Sequence, residues 1–150
     1  MLFAFMAAAA QVSPAKKTFS VQKNATLTLV RYGDGNEIVD PQIEAGQRLV
    51  FYYEWNSPKN PQIADADRTD KLYFELTAAQ AKSFKATGEA LAGAKTVRCR
   101  ICFCLEGGCR PDTRGELSVK KAGRDRYAVK FKDDPESERY LVNEIFTLKK

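Results

Sequence analysis

Residues 48–55 read RLVFYYEW. Successive side chains of an extended strand point to opposite faces. Leu49, Phe51, Tyr53 and Trp55 therefore share one face, and Arg48, Val50, Tyr52 and Glu54 share the other. The first set is entirely large and apolar or aromatic, so it is assigned to a core. Aromatic and β-branched residues fit a pleated, half-buried surface, and this stretch sets the class of the fold as β.

The same period recurs on either side. TLTLVRY at 26–32, LYFEL at 72–76, VRCRICFCL at 97–105, RGELSVK at 114–120, RYAVKFK at 126–132 and YLVNEIFTL at 140–148 all alternate. Turn signals separate them. Gly33-Asp34-Gly35-Asn36 and Gly123-Arg124-Asp125 are short turns, and residues 133–138 form a charged one with Pro135. Residues 38–46 are ambiguous, because Pro41 suits an edge or a loop. Residues 56–70 hold Pro58, Pro61, Asp65, Asp67 and Asp70 and read as a long exposed loop. One short helix is expected near 77–87, where Thr77 can cap the first turn and Gln80 can reach back to it, with Gly88 ending it. The fold class is all-β: a single-domain sandwich, or alternatively a barrel, of about six to eight antiparallel strands with that one helix.

At the N-terminus, residues 2–10 are a short apolar run ending in alanines. It reads as a secretory signal peptide over 1–10, although no basic residue precedes it. A bilayer span takes roughly 20 residues, so no membrane span is expected in the mature chain. Residues 11–25 are read as a flexible leader and 26–150 as the domain.

The 150 residues carry a net charge of +5, with Lys and Arg interleaved with Asp and Glu along the chain. Nucleic-acid binding is not expected from that pattern, and the basic balance implies at most a weak preference for anionic surfaces. Histidine is absent. This removes Ser-His-Asp and Cys-His nucleophiles, which need an imidazole to take the proton, and the chain is read as non-enzymatic. Tyr52, Tyr53 and Trp55 beside three aspartates invite a sugar- or calcium-binding reading. The inward face of Tyr53 and Trp55 favours the core instead.

The remaining signal is the run VRCRICFCLEGGC, which holds all four cysteines: Cys99, Cys102, Cys104 and Cys109. On a regular strand, Cys99 shares the apolar face with Val97, Ile101, Phe103 and Leu105, while Cys102 and Cys104 share the other with Arg98 and Arg100. An even number of cysteines in an exported chain indicates disulfides. Cys102–Cys104 is disfavoured, because residues two apart on an extended strand sit near the upper limit of Cα separation, about 6.8 Å. Cys104–Cys109 across the Gly107-Gly108 turn is preferred. The alternative is a thiol protein that binds Zn or Cu(I) through Cys102, Cys104 and Cys109, or acts in redox chemistry with Arg98, Arg100 and Arg110 favouring the thiolate. The expectation is an exported (periplasmic, cell-surface or extracellular) binding or structural module with a disulfide-braced loop, no resident cofactor, and a cell-surface or periplasmic partner.

Overall fold

A computed structural model describes residues 11–33, 37–63 and 67–150. The signal segment, the turn residues 34–36 and Asp65 lie outside the described residues. The fold is all-β, with two antiparallel sheets built from ten strands among the described residues. They are β1 (Lys16–Tyr32), β2 (Ile38–Ala45), β3 (Arg48–Asn56), β4 (Thr69–Leu76), β5 (Ser83–Thr87), β6 (Val97–Ile101), β7 (Gly108–Pro111), β8 (Glu116–Gly123), β9 (Arg126–Lys132) and β10 (Val142–Thr147). Six form one sheet in the order β2-β1-β3-β4-β6-β7, and four form the other in the order β10-β9-β8-β5.

The main core lies between the sheets. From β3 and β4 it takes Leu49, Phe51, Tyr53, Leu72, Phe74 and Leu76. From the smaller sheet it takes Leu117, Val119, Tyr127, Val129, Phe131 and Phe146. The expected β8–β9 hairpin is formed, with Leu117 opposite Phe131 and Val119 opposite Val129. Phe51 sits at the centre, stacked on Phe74 at 4.5 Å and edge-on to Tyr127 at 5.5 Å.

The second face of β3 is buried as well. β1 pairs with β3 up to Gln22, shifts register before Ala25, and then runs on with β2 alone. Asn24 takes a positive φ of 53° at this shift, a conformation that asparagine tolerates better than most residues. The β1–β2 hairpin thus folds over the sheet. It buries Leu27 against Val50, and it brings Val39 and Leu29 against Val97, Cys99 and Tyr73. β2 then meets β7, and the six-stranded sheet is nearly closed, like a barrel. Sandwich and barrel are both present, sharing β3 and β4 as a common wall.

Four expectations are corrected. The flexible leader over 11–25 is strand from Lys16 onward, because Phe19 and Val21 alternate inward and pair opposite Tyr53 and Phe51. The helix near 77–87 is one 3-10 turn, Gln80–Lys82. Its capping box does form: Gln80 N–H donates to Thr77 Oγ1 at 3.1 Å, and Thr77 N–H donates to Gln80 Oε1 at 2.9 Å. Past that turn, pairing with β8 makes residues 83–87 a strand, β5. Gly88 opens a second 3-10 turn, Gly88–Ala94, rather than ending a helix. Finally, the cysteine strand stops at Ile101 instead of running to Leu105.

One glycine is required by close approach. A Cβ at Gly115 would lie 2.5 Å from the Lys132 carbonyl oxygen and 2.8 Å from the Phe131 ring. Gly115→Ala should therefore destabilise the fold by about 1–3 kcal/mol, read as a lower urea midpoint at unchanged slope. A midpoint equal to that of the parent would show that β9 yields without cost.

Candidate functional site

The end of β6 carries the cysteines. Cys99 and Cys109 lie directly opposite each other on β6 and β7 and form one disulfide, with Cα atoms 3.9 Å apart. Cys102 and Cys104 form the other, with Cα atoms 5.2 Å apart. Both the favoured Cys104–Cys109 bridge and the disfavour of Cys102–Cys104 are corrected. On a regular strand through Leu105, side-chain parity would separate Cys99 from Cys102 and Cys104, and those two would sit near the upper limit of Cα separation. In fact residues 102–104 bend, which draws their Cα atoms within bonding range. β7 then returns beside β6 with Cys109 in register with Cys99. The expected burial of Cys99 holds, as it sits beside Val97 and Val39.

The bend also turns the loop's apolar residues outward. Phe103 is 89% exposed and Leu105 fully exposed, where a continued strand would have placed both in the core. Their signal in the sequence was the run Glu106-Gly107-Gly108, which needs a reversal too soon after Ile101 for the strand to reach Leu105.

The loop is held in place from several sides. Arg110 donates to the carbonyl oxygens of Gly107 at 3.1 Å and Glu106 at 3.3 Å. Arg100 pairs with Asp70 at 3.0 Å, and Asp70 also receives Arg68 at 3.0 Å. Arg68 in turn lies over the Trp55 ring at 5.0 Å. Arg98, expected beside the outward thiols, instead pairs with Asp112 at 2.8 Å and overlies Phe131. Phe103 forms one wall of an open cleft of about 540 Å³, with Ile63, Pro61 and Lys59 opposite. Asp67 lines that cleft too, so the aspartates are divided between an ion pair at Asp70 and a cleft wall at Asp67.

All four sulfurs are in disulfides, so none is a thiolate that could ligate zinc or copper. Among the described residues, no three of Cys, Asp and Glu converge on a metal-sized point.

Two polar groupings lie on the inner face of the barrel-like sheet. Tyr52 donates its hydroxyl to Glu54, which also accepts from the Asn56 amide at 2.8 Å and faces Lys71 at 3.6 Å. Tyr52 packs on Tyr73 at 5.0 Å. The Tyr52 hydroxyl, and after it the Asn56 amide, hold Glu54 below the usual carboxylate range. Burial first, then the Glu54 contact, pushes the Tyr52 hydroxyl well above its usual range. Its polar groups satisfy one another, and its chemistry is that of a partly buried structural network. The second grouping centres on Glu75, whose carboxylate accepts from Leu27 N–H at 2.7 Å and Thr26 Oγ1 at 3.0 Å and pairs with Lys95 at 3.0 Å. Neither network was apparent in the sequence, because Glu54 and Glu75 occupy positions that alternation assigns to solvent.

The two disulfides differ in access, and thiol exchange needs access to sulfur. Under a rising concentration of reductant, Cys102 and Cys104 should be alkylated first, and Cys99 with Cys109 only at higher reductant. Peptide mass spectrometry after alkylation reads the order. Simultaneous release of all four would mean that the β1–β2 hairpin does not shield Cys99. Replacing Cys99 and Cys109 by alanine should cost about 2 kcal/mol, from the entropy of the loop they close.

Compared with known protein families, with curated proteins and with solved structures, the chain gives no match.

Proposed function

We propose that this is an exported, non-enzymatic binding module whose contact surface is the loop between β6 and β7. The carrying observation is the combination of fixed backbone and bare apolar side chains. Phe103 and Leu105 are exposed, on a segment bounded by two disulfides and braced by Arg110. Exposed aromatic and aliphatic residues on a preorganised loop lose little conformational entropy when they are covered. The disulfides support an oxidising compartment, as does the signal-like run at 1–10.

The test is site-specific photocrosslinking in the cells that make the protein. Phe103→p-benzoylphenylalanine should give a discrete adduct, and the same label at Lys121, at the far hairpin, should not. Phe103→Ser with Leu105→Ser should leave the fold within about 0.5 kcal/mol of the parent, because neither side chain is packed, yet the double variant should lose binding of the adduct partner. The same adducts from both positions, or none from 103, would overturn the reading. In parallel, the mass of the chain recovered outside the cytoplasm should begin at Gln11. An intact N-terminus on cytoplasmic protein would overturn export.

A redox role is the second reading, favoured by the accessible Cys102–Cys104 bridge. In that case the thiol-reduced loop, rather than Phe103, would control adduct formation, and Cys102→Ser with Cys104→Ser would abolish an activity that Phe103→Ser spares.

A further inference from the structure

The positive charge that is interleaved with acid along the sequence is gathered onto one surface by strand alternation. On β8 and β9 the inward positions are Leu117, Val119, Tyr127, Val129 and Phe131. The residues between them point out. Paired registers across β5-β8-β9-β10 set Lys85 beside Ser118, Lys130 and Asn143, and Lys120 beside Ala128 and Ile145. Lys132 sits opposite Glu116, and Arg126 opposite Thr147. The outer face of this sheet therefore carries five cationic side chains against one carboxylate within its strands, Glu116, which pairs weakly with Lys85 at 3.8 Å. Further carboxylates, Asp133 to Glu138, lie in the turn beyond β9, at one end of the face. The same face exposes Ile145, Leu141 and Tyr140, and the Lys130 and Lys132 ammonium groups lie over the Tyr140 ring at 5.5 and 4.8 Å.

We propose that the outer face of the four-stranded sheet docks on an anionic lipid surface. A sheet face presents its charges in two dimensions, as a bilayer presents its headgroups, whereas a polyanionic strand would be met by a single row. Four of the five cations are lysines. Lysine acts as a point charge on a long apolar stem and suits diffuse attraction to headgroups, while forked recognition of single phosphodiesters favours arginine. The exposed Tyr140, Leu141 and Ile145 suit a bilayer interface, where tyrosine and aliphatic side chains partition among the headgroups. No helix among the described residues is long and apolar enough to cross a membrane, so attachment by this face would be peripheral and sensitive to salt.

The test is co-sedimentation of the whole protein with vesicles of phosphatidylcholine alone and of phosphatidylcholine mixed with phosphatidylglycerol, at low and at physiological salt. Binding is expected to the mixed vesicles only, falling as salt rises. Lys120→Gln with Lys130→Gln should weaken it about fivefold per lysine, while Lys59→Gln, in the cleft loop of the opposite sheet, should leave it unchanged. Ile145→Ser should weaken vesicle binding without altering retention on dextran sulfate. Failure of the unaltered protein to bind mixed vesicles at low salt would overturn the proposal. So would vesicle binding that Ile145→Ser leaves unchanged while dextran sulfate competes fully, which would identify a soluble polyanion as the ligand. The photocrosslinking result at Phe103 bears on a different surface and is independent of this one.

Discussion

Truncating Phe51 to alanine is expected to remove roughly 3–5 kcal/mol of unfolding free energy and to lower the melting temperature by about 10 °C. Phe51 is fully buried, and its ring meets three others: Phe74, Tyr127 and Phe146. Two of these belong to the facing sheet, so the cavity left behind would lie between rigid layers that cannot close over it. Aromatic pairs of this geometry add about 0.5–1.5 kcal/mol beyond area burial, which places the expected loss toward the upper end. Urea unfolding of parent and variant measures it. A loss below about 1 kcal/mol would mean that the two sheets collapse onto each other and that the inter-sheet core is not the main source of stability. Phe51→Leu, which keeps much of the volume, should recover a good part of the loss.

The second large effect is at Glu75. Its carboxylate is only 2% exposed and holds four groups together: Leu27 N–H, the Thr26 hydroxyl, the Lys95 ammonium at 3.0 Å and the Arg48 guanidinium at 3.6 Å. The Leu27 amide belongs to the part of β1 that has left β3, so it has no strand partner on that side. Glu75 thus stands in for a missing ladder bond at the place where the hairpin folds over. Glu75→Ala should cost about 3 kcal/mol at neutral pH, less than the upper figure for a broken buried pair because Lys95 and Arg48 reach solvent. Burial by itself would raise the Glu75 pKa. The Leu27 amide, Lys95 and Thr26 outweigh it and hold the group below its ordinary value. A carboxylate depressed in the folded state contributes stability above its unfolded pKa and loses it as pH falls through the folded one. The gap between parent and Glu75→Ala should therefore be widest near neutrality and narrow progressively in acid below pH 4.5. Urea midpoints for both proteins across that range decide the matter, and a gap that stays constant with pH would show that the ionised form is not what the site selects.

The wall of the fold was legible in the sequence and the curl was not. RLVFYYEW declares its strand because both alternating sets are bulky, and the β8–β9 hairpin declares its register because Leu117, Val119, Val129 and Phe131 match across a short turn. The curl depends on one register shift between Gln22 and Ala25 and on Asn24 in a left-handed conformation, neither of which periodicity reports. At Ser83–Thr87, helix-favouring alanine and lysine neighbours lost to pairing with β8, a tertiary effect that local preference does not contain. At the candidate loop the cysteines mark the site, but alternation through Leu105 would bury Phe103 and Leu105, and the bend over residues 102–104 exposes both.

The shared wall has a consequence for how the molecule comes apart. Because β3 presents Phe51 to the sandwich and Val50 to the barrel-like interior, melting either half would strip one face of the wall that the other half needs. Partial openings should be confined to the rim, and the amides of β3 and β4 should exchange with solvent only through the global event. A protein with two hydrophobic interiors on one wall is then one cooperative unit, and a fragment that lacks either interior would have no native state to return to.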